Sequence, residues 1–473
     1  MSSGGSGSTI SSGSFLDLLP DELLIQIFGH LAVVGSTWEE DDPLRLSRLP
    51  YRQSDLELLP CTGLRGYPFL AQVCRKWKRL LGTPMAQHLI WRRVCIDLGH
   101  ELITSIHTPL RWSNQRPTTA EYNQAFQTKT ISAGKVLHFL GGVAPHVTSL
   151  AIANSEGFEA DDGEYVPLAD KHNFGPSHLG FALALVRNTL TELVVYRCND
   201  LVTADAGVWT LASQLPCLRT LAVEGLRALL PEGHVAPLGE LSKLESLTLT
   251  GDEFRSDWGV GLEAIPASWS RLTALTRLEL RGHSLLPELP PWLAAGGKPD
   301  PRSGMPGLRH LDISGCGALE LAPLTRLTGL HVLVLQNLAL DHVLPSPAEV
   351  AAAAQADQQL ARRALPDLQP LAPSLRSLSL SNNRFTRLPV WLHRLTRLEH
   401  LDVAYNRDLH IRSSLTPSLS SLPHLALLDF RSVHVTKDKS YWCEAKCTTM
   451  QHLSKLAKAL KRRCPQPRLL MDI

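Results

Sequence analysis

The stretch "LSLSNNRFTRLPVWLHRLTRLEHL", Leu378 to Leu401, holds the pattern on which most of the chain is built. A leucine is followed after two residues by a second leucine, after one more by an apolar residue, and after two more by a small or amide-bearing side chain. Leu375, Leu378, Leu380 and Asn383 fill those places, and Leu398, Leu401, Val403 and Asn406 fill them again 23 residues later. Working outward, the pattern also starts at Val147 ("VTSLAIANS"), Leu190 ("LTELVVYRC"), Leu218 ("LRTLAVEGL"), Leu244 ("LESLTLTGD"), Leu275 ("LTRLELRGH"), Leu308 ("LRHLDISGC"), Leu330 ("LHVLVLQNL") and Leu425 ("LALLDFRSV"), ten starts in all.

From Leu190 onward the intervals between starts are 28, 26, 31, 33, 22, 45, 23 and 27 residues, close to one period apart from a few stretched turns. Each unit lays one short strand beside the last, and its leucines point into an interior that no single unit encloses. Over roughly residues 147 to 435 this succession resembles the leucine-rich repeat family. The resemblance implies an α/β solenoid of about ten repeats with parallel strands on its concave face, and it implies no particular chemistry. In such units the ninth position lies where the chain leaves the strand, and an Asn or Cys there can satisfy buried backbone groups. Cys198, Cys316, Asn383 and Asn406 occupy it.

The stretched interval between Leu330 and Leu375 contains "SPAEVAAAAQADQQLARRALP". Ser346, Pro347 and Glu349 form a capping box with Pro at the first helical position, and Pro366 stops the run, which predicts a protruding helix over 346–365.

The amino-terminal third has a different rhythm. "LPDELLIQIFGHL", Leu19 to Leu31, places Leu23, Leu24, Ile27, Phe28 and Leu31 on one stripe of a helix. "FLAQVCRKWKRLL" repeats the stripe with Phe69, Leu70, Val73, Cys74, Trp77, Leu80 and Leu81, leaving Arg75, Lys76, Lys78 and Arg79 opposite. "TPMAQHLIWRRV" opens with Thr83 as N-cap and Pro84 at the first helical position, then presents Met85, Leu89, Ile90 and Trp91. Three helices this short make a small core that is marginal unless something covers its remaining apolar surface.

The set resembles the F-box, by which substrate receptors of cullin–RING ubiquitin ligases dock on the Skp adaptor. The resemblance places the docking surface at Leu19, Pro20, Leu23, Ile27, Phe28 and Leu31, then at Leu70, Val73, Cys74 and Trp77, with Trp91 closing the motif. It implies as partners a Skp-family adaptor, through it the cullin and RING subunits, and a target protein held by the solenoid. Residues 32–68 depart from the motif, because helix connections usually run about 2 to 8 residues. The segment is expected to be a surface insertion, which loop entropy tolerates.

The expected organisation is a Ser/Gly tail over 1–14, the F-box unit over 15–98, a linker or amino-terminal cap over 99–146, the solenoid over 147–435 and a basic cap over 436–473. The last of these carries "KLAKALKRR", Lys455 to Arg463, expected to be a helix with Leu456 and Leu460 turned inward. A net charge of +2 offers no global field for nucleic acid or an anionic membrane, and neither is expected as a partner. Nine cysteines without pairwise rhythm, and a tail lacking the signs of a signal peptide, fit a reducing compartment, cytoplasm or nucleus.

Target recognition is expected on strand positions that flank the inward leucines: Glu192, Tyr196, Arg197, Glu224, Arg277, Glu279, Arg281, His310, Asp312, Gln336, His400, Asp402, Tyr405, Asp429 and Arg431. Aromatic and arginine side chains dominate binding energy and charges set orientation. Adjacent units bring Arg277, Glu279 and Arg281 near His310 and Asp312.

No cofactor, metal or catalytic residue is expected. Cys443, Cys447, His452 and Cys464 lack the spacing of common zinc modules. "EADDGEY" lacks the alternating oxygens of a calcium loop and is expected to be an acidic loop. No phosphate cradle, nucleophile elbow or zinc-protease motif occurs. Two other functions fit the same repeats: a scaffold without ligase function, and a small-molecule co-receptor.

Overall fold

A computed structural model of the chain describes residues 83, 88, 91–97, 133–153, 157–159, 165–167, 174–196, 198, 201–202, 206–226, 229–251, 261–294, 305–317, 319–340, 342–343, 364–406, 409, 419, 422–431 and 468–470. Several expectations lie outside them: the docking residues Leu19, Pro20, Leu23, Ile27, Phe28, Leu31, Leu70, Val73, Cys74 and Trp77, Arg197, the span 346–363, Lys455 to Arg463, and Cys443, Cys447, His452 and Cys464.

In chain order the elements are β1 (Arg93–Asp97), α1 (Ala133–Val143), β2 (Ser149–Ala153), β3 (Gly157–Glu159), β4 (Tyr165–Pro167), α2 (Pro176–Val186), β5 (Glu192–Tyr196), α3 (Ala206–Ser213), β6 (Thr220–Leu226), β7 (Leu229–Leu230), α4 (Glu232–Val235), β8 (Ser246–Gly251), β9 (Gly261–Leu262), β10 (Arg277–Arg281), β11 (His310–Asp312), β12 (Val332–Val334), β13 (His342–Val343), β14 (Ala364–Leu365), β15 (Ser377–Ser379), β16 (His400–Asp402), β17 (Leu427–Asp429) and β18 (Arg468–Leu470). Twelve of the strands form one sheet in the order β1-β2-β5-β6-β8-β10-β11-β12-β15-β16-β17-β18. Every pairing in it is parallel, for example Leu278 beside Leu247 and Leu311, and Leu401 beside Leu378 and Leu428.

The leucine pattern produces this sheet directly. Leu308, Leu311 and Ile313 are all buried, as are Leu375, Leu378 and Leu380, so the first, fourth and sixth positions line one continuous interior. A parallel pair needs a long return connection, and each unit supplies one. The earlier returns are the helices α1, α2 and α3. The units of 22 and 23 residues return through 3-10 turns, Ala322–Arg326 and Val390–Arg394, because a 3-10 turn covers more distance per residue than an α-helix. Prolines open several of these turns, Pro389 for instance, where a missing N–H costs nothing.

The sheet extends one strand beyond the ten units at each end. β1 comes from residues assigned to the amino-terminal unit, and β18 from the basic cap. An edge strand has one neighbour and needs no full leucine signature; in β1 the alternate residues Val94 and Ile96 are buried. Trp91, expected to close a docking surface, lies instead in the chain's own core, its ring meeting Phe139 edge-on at 5.2 Å. Two smaller corrections follow the same logic of local pairing. Residues 364–365, the end of the expected helix, form β14 against β13. Glu159, expected in a loop, belongs to the antiparallel pair β3–β4.

Candidate interaction surface

Strand residues between the inward leucines face the concave side, where the register sorts them into rows. One row runs Glu279, Asp312, Val334, Ser379, Asp402, Asp429 across β10, β11, β12, β15, β16 and β17. Another runs Arg277, His310, Val332, Ser377, His400, Leu427. At the amino-terminal end, Tyr196 stands beside Glu224 and Glu192 beside Thr220.

The Arg277, Glu279, Arg281, His310 and Asp312 group is assembled into one cluster. Glu279 accepts from Arg277 Nε at 2.6 Å and from Arg281 Nη2 at 3.3 Å, and His310 Nε2 stands 3.3 Å from its Oε1. Arg281 Nε lies 3.7 Å from Asp312 Oδ2. Burial by itself pushes the Glu279 carboxyl up, but the His310 contact and the charges of Arg281 and Arg277 outweigh it and hold the pKa at about 2. Asp312 goes the other way: its own burial and the charge of Glu279 raise it against the pull of Arg281. Within the cluster the two arginines face the two carboxylates. Arg277, with its side chain 32 % exposed, is its most accessible member.

A second group occupies β12 to β17. Gln336 Nε2 donates to Ser379 Oγ at 2.9 Å, and Ser379 donates to Asp402 Oδ2 at 2.8 Å. Asp429 accepts from Arg431 Nε and Nη2, and the Arg431 side chain is 27 % exposed. The Asp429 hydrogen bond raises Arg431, whereas burial raises Asp402 against its hydrogen bonds from Ala404 and Ser379. His400 is half-buried between Ser377 and Leu427.

The aspartates also have a backbone task that sequence reasoning missed. Asp312 Oδ1 accepts from the N–H of Ser314 at 2.9 Å, Asp402 Oδ1 from Ala404 at 3.0 Å, and Asp429 Oδ1 from Arg431 at 3.1 Å. Each closes the turn at its strand's exit. The signal was present as the recurring Leu-Asp of "LRHLDIS", "LEHLDVA" and "LALLDFR".

Just beyond, the eighth position of successive units takes a left-handed backbone: Gly282 (φ 73), Gly315 (φ 67), Asn337 (φ 52), Asn382 (φ 52) and Tyr405 (φ 58). Glycine and asparagine tolerate this conformation, and a tyrosine does so only under strain. Tyr405 is nonetheless 48 % exposed, at the rim beside Arg431, to whose carbonyl its N–H donates at 2.8 Å. Strained and accessible, it stands out among the concave-side residues.

The ninth position forms a ladder. Cys198 Sγ donates to Ile152 O at 3.8 Å, Cys316 Sγ to Leu280 O at 2.9 Å, Asn383 Nδ2 to Leu335 O at 2.7 Å and Asn406 Nδ2 to Leu380 O at 2.9 Å. In each case the acceptor is the sixth residue of the preceding unit. His283 is a further rung, its Nε2 standing 2.9 Å from Leu249 O while its Nδ1 accepts from Leu262 N–H at 3.1 Å. Burial raises the Cys316 thiol to about 12 and lowers the His283 ring to about 4, so both rungs are neutral.

Among the described residues no group of three or more His, Cys, Asp or Glu is placed to hold a metal ion. The arrangement offers hydrogen bonding, paired charge and a strained aromatic rim.

A family profile described as Leucine Rich repeats (2 copies) matches residues 373–414. No curated protein matches the chain. Among solved structures, the Arabidopsis receptor kinase HAESA, determined in complex with the peptide hormone IDA and the co-receptor SERK1, aligns at 20% identity and a TM-score of 0.33 over 61% of this chain and 39% of its own. A Leptospira interrogans LRR protein aligns at 16% identity and a TM-score of 0.29 over 74% of this chain and 98% of its own. The leucine-rich repeat domain of the type III effector XopL aligns at 18% identity and a TM-score of 0.32 over 55% of this chain and 70% of its own. The alignment thus spans well under half of the receptor kinase chain.

Proposed function

We propose that this chain is the substrate-recognition subunit of a Skp–cullin–F-box ubiquitin ligase. The reading is carried by one observation: "LPDELLIQIFGHL", "LAQVCRKWKRLL" and "LIW" stand in that order ahead of a leucine-rich repeat solenoid. The solenoid is the protein-interaction scaffold, and its concave side and rim, Arg277, Tyr405 and Arg431 foremost, hold the target. Leu19, Pro20, Leu23, Ile27, Phe28, Leu31, Leu70, Val73, Cys74 and Trp77 form the face that a Skp-family adaptor covers. Trp91 is buried in the chain's own core, so the proposed face is left to the ten residues from Leu19 to Trp77.

The chain itself performs no bond chemistry in this reading. Holding a target lysine close to the ubiquitin-carrying enzyme raises its effective concentration, and the transfer belongs to other subunits. Cytoplasm or nucleus is the expected location, in keeping with thiols at Cys198, Cys217 and Cys316 that are not in disulfides.

The test is capture of the full chain from cells and measurement of co-purifying Skp and cullin. Ile27→Asp with Trp77→Ala should abolish both while leaving the solenoid's thermal unfolding unchanged. Absence of Skp from the wild-type capture defeats the ligase reading and leaves an interaction scaffold.

A further inference from the structure

A row of residues lies one position before the strands, at the sheet's entry edge. It runs Arg219, Glu245, Thr276, Arg309, His331, Arg376 and Glu399, and each residue's N–H donates to the carbonyl of the one before it at 2.7 to 2.8 Å from Glu245 onward. Successive members are therefore one strand spacing apart, about 4.8 Å. In the first part of the row charge is matched, Arg219 pairing with Glu245. In the second part it is not. Arg309, His331 and Arg376 follow one another, and Arg397 adds a further cation two residues ahead of Glu399.

The only carboxylate in this part of the row is Glu399, which meets Arg376 at 3.3 Å. Three arginines against one glutamate leave two positive charges unmatched with His331 neutral. Arg309 is exposed, and its Nη1 donates to Gly329 O at 3.0 Å. Arg397 is exposed and makes no ion pair among the described residues. The field is felt locally: desolvation first, and then the charges of Arg309, Arg376 and Arg397, hold the His331 ring below its usual range.

We propose that this entry edge, centred on Arg309, Arg376 and Arg397, receives an acidic segment of a partner protein, an extended run of Asp or Glu side chains. From Arg309 to Glu399 the row covers three strand spacings, about 15 Å, which four or five residues of extended peptide span. Nucleic acid fits less well, because the row carries no Phe, Tyr or Trp on which a base could stack. The proposal rests on the solenoid being a surface that recognises protein, and it does not depend on Skp docking.

The experiment measures binding of a dye-labelled hexaglutamate peptide to the full chain by fluorescence anisotropy at two salt concentrations. Arg309→Glu and Arg397→Glu should each weaken binding about tenfold, with the wild-type affinity falling as salt rises. Arg387→Glu, an exposed change of the same sign beyond the strand exit, should shift it less than about twofold. If a reversal variant fails to fold, Arg397→Gln at the same exposed site supplies the comparison. No saturable hexaglutamate binding, an equal loss with Arg387→Glu, or tighter binding of a single-stranded oligonucleotide of equal charge overturns the proposal. Retained Skp capture with lost peptide binding defeats this inference alone, and the reverse outcome defeats the ligase reading alone.

Discussion

His283 Nε2 lies 2.9 Å from the carbonyl oxygen of Leu249, one unit behind it, so a titratable ring is a rung of the ladder that otherwise carries thiols and amides. Its Nδ1 accepts from the N–H of Leu262, which fixes the proton on Nε2. A Cβ on Gly261, whose φ is +93, would come within 2.0 Å of Nδ1, so only glycine allows the approach. Adding a proton would set two donors face to face and bury a charge with no counter-ion.

Stability should therefore depend on pH through this ring. Its folded pKa, about 4, is below the unfolded value near 6.5, so the contribution is fully present above 6.5 and is lost as pH falls towards 4. The full loss is roughly 3 kcal/mol. Urea unfolding at neutral pH and near pH 4.5 measures it. His283→Asn, which places a ladder amide in the same register, should flatten the dependence between those values; an unchanged slope in that variant rules the ring out as its source.

Asn406, like Asn383, should be a costly polar side chain to remove from the ladder. Its amide donates to Leu380 O, Val403 O and Ala404 O, and its Oδ1 accepts from Phe385 N–H. Asn406→Ala takes the side-chain partner from the buried Val403 O and Phe385 N–H, while Ala404 O still accepts from Asn382 N–H and Leu380 O from Asn383 Nδ2, and should destabilise by about 3 kcal/mol. Chemical denaturation reads this directly, and a loss under about 1 kcal/mol would mean that water enters the site.

Glu279 and Asp312, adjacent carboxylates in one row, should respond with opposite signs. Glu279→Gln takes from Arg277 and Arg281 the carboxylate they share and should cost about 3 kcal/mol at neutral pH. Because the folded pKa of Glu279 is lowered from 4.5 to about 2, its contribution is held above pH 4.5 and lost as pH falls towards 2. Asp312 is raised by burial, so Asp312→Asn removes an unfavourable charge while keeping an oxygen for Ser314. Thermal melts of the two variants should move in opposite directions, and a shared direction would show that Arg281 does not distinguish them.

Tyr405 should trade stability for binding. Tyr405→Asn relieves a left-handed backbone that Asn337 and Asn382 already adopt in the same register, and should stabilise by about 1 kcal/mol. The same change should weaken capture of the target. A variant that is more stable and still captures the target at wild-type level removes Tyr405 from the recognition surface.

Much of the sheet was legible because leucine spacing is a local code. Leu308, Leu311 and Ile313 must face one way in any strand, and Asn383 and Asn406 announce the strand exit. The edge strands were not legible: "RVCID" has no leucine, and β18 pairs across 41 residues from Leu427 to Arg468. The concave positions were assignable by alternation, yet their chemistry was not. Alternation puts Asp312 and Asp402 on that face, while their burial and bonds to Ser314 and Ala404 depend on neighbouring strands.

By itself, then, the sequence determined the repeat, the inward leucines, the ladder positions and the parallel order of the units, because each follows from the spacing of side chains along one strand. Only the tertiary structure decided that Trp91 packs inside the solenoid, that Glu279 is held by Arg277, Arg281 and His310 while burial pushes the Asp312 carboxyl up, and that Arg309, His331 and Arg376 align on one edge. Those outcomes come from residues 22 to 45 positions apart, or more, brought to one strand spacing, where burial and charge act between units rather than along them.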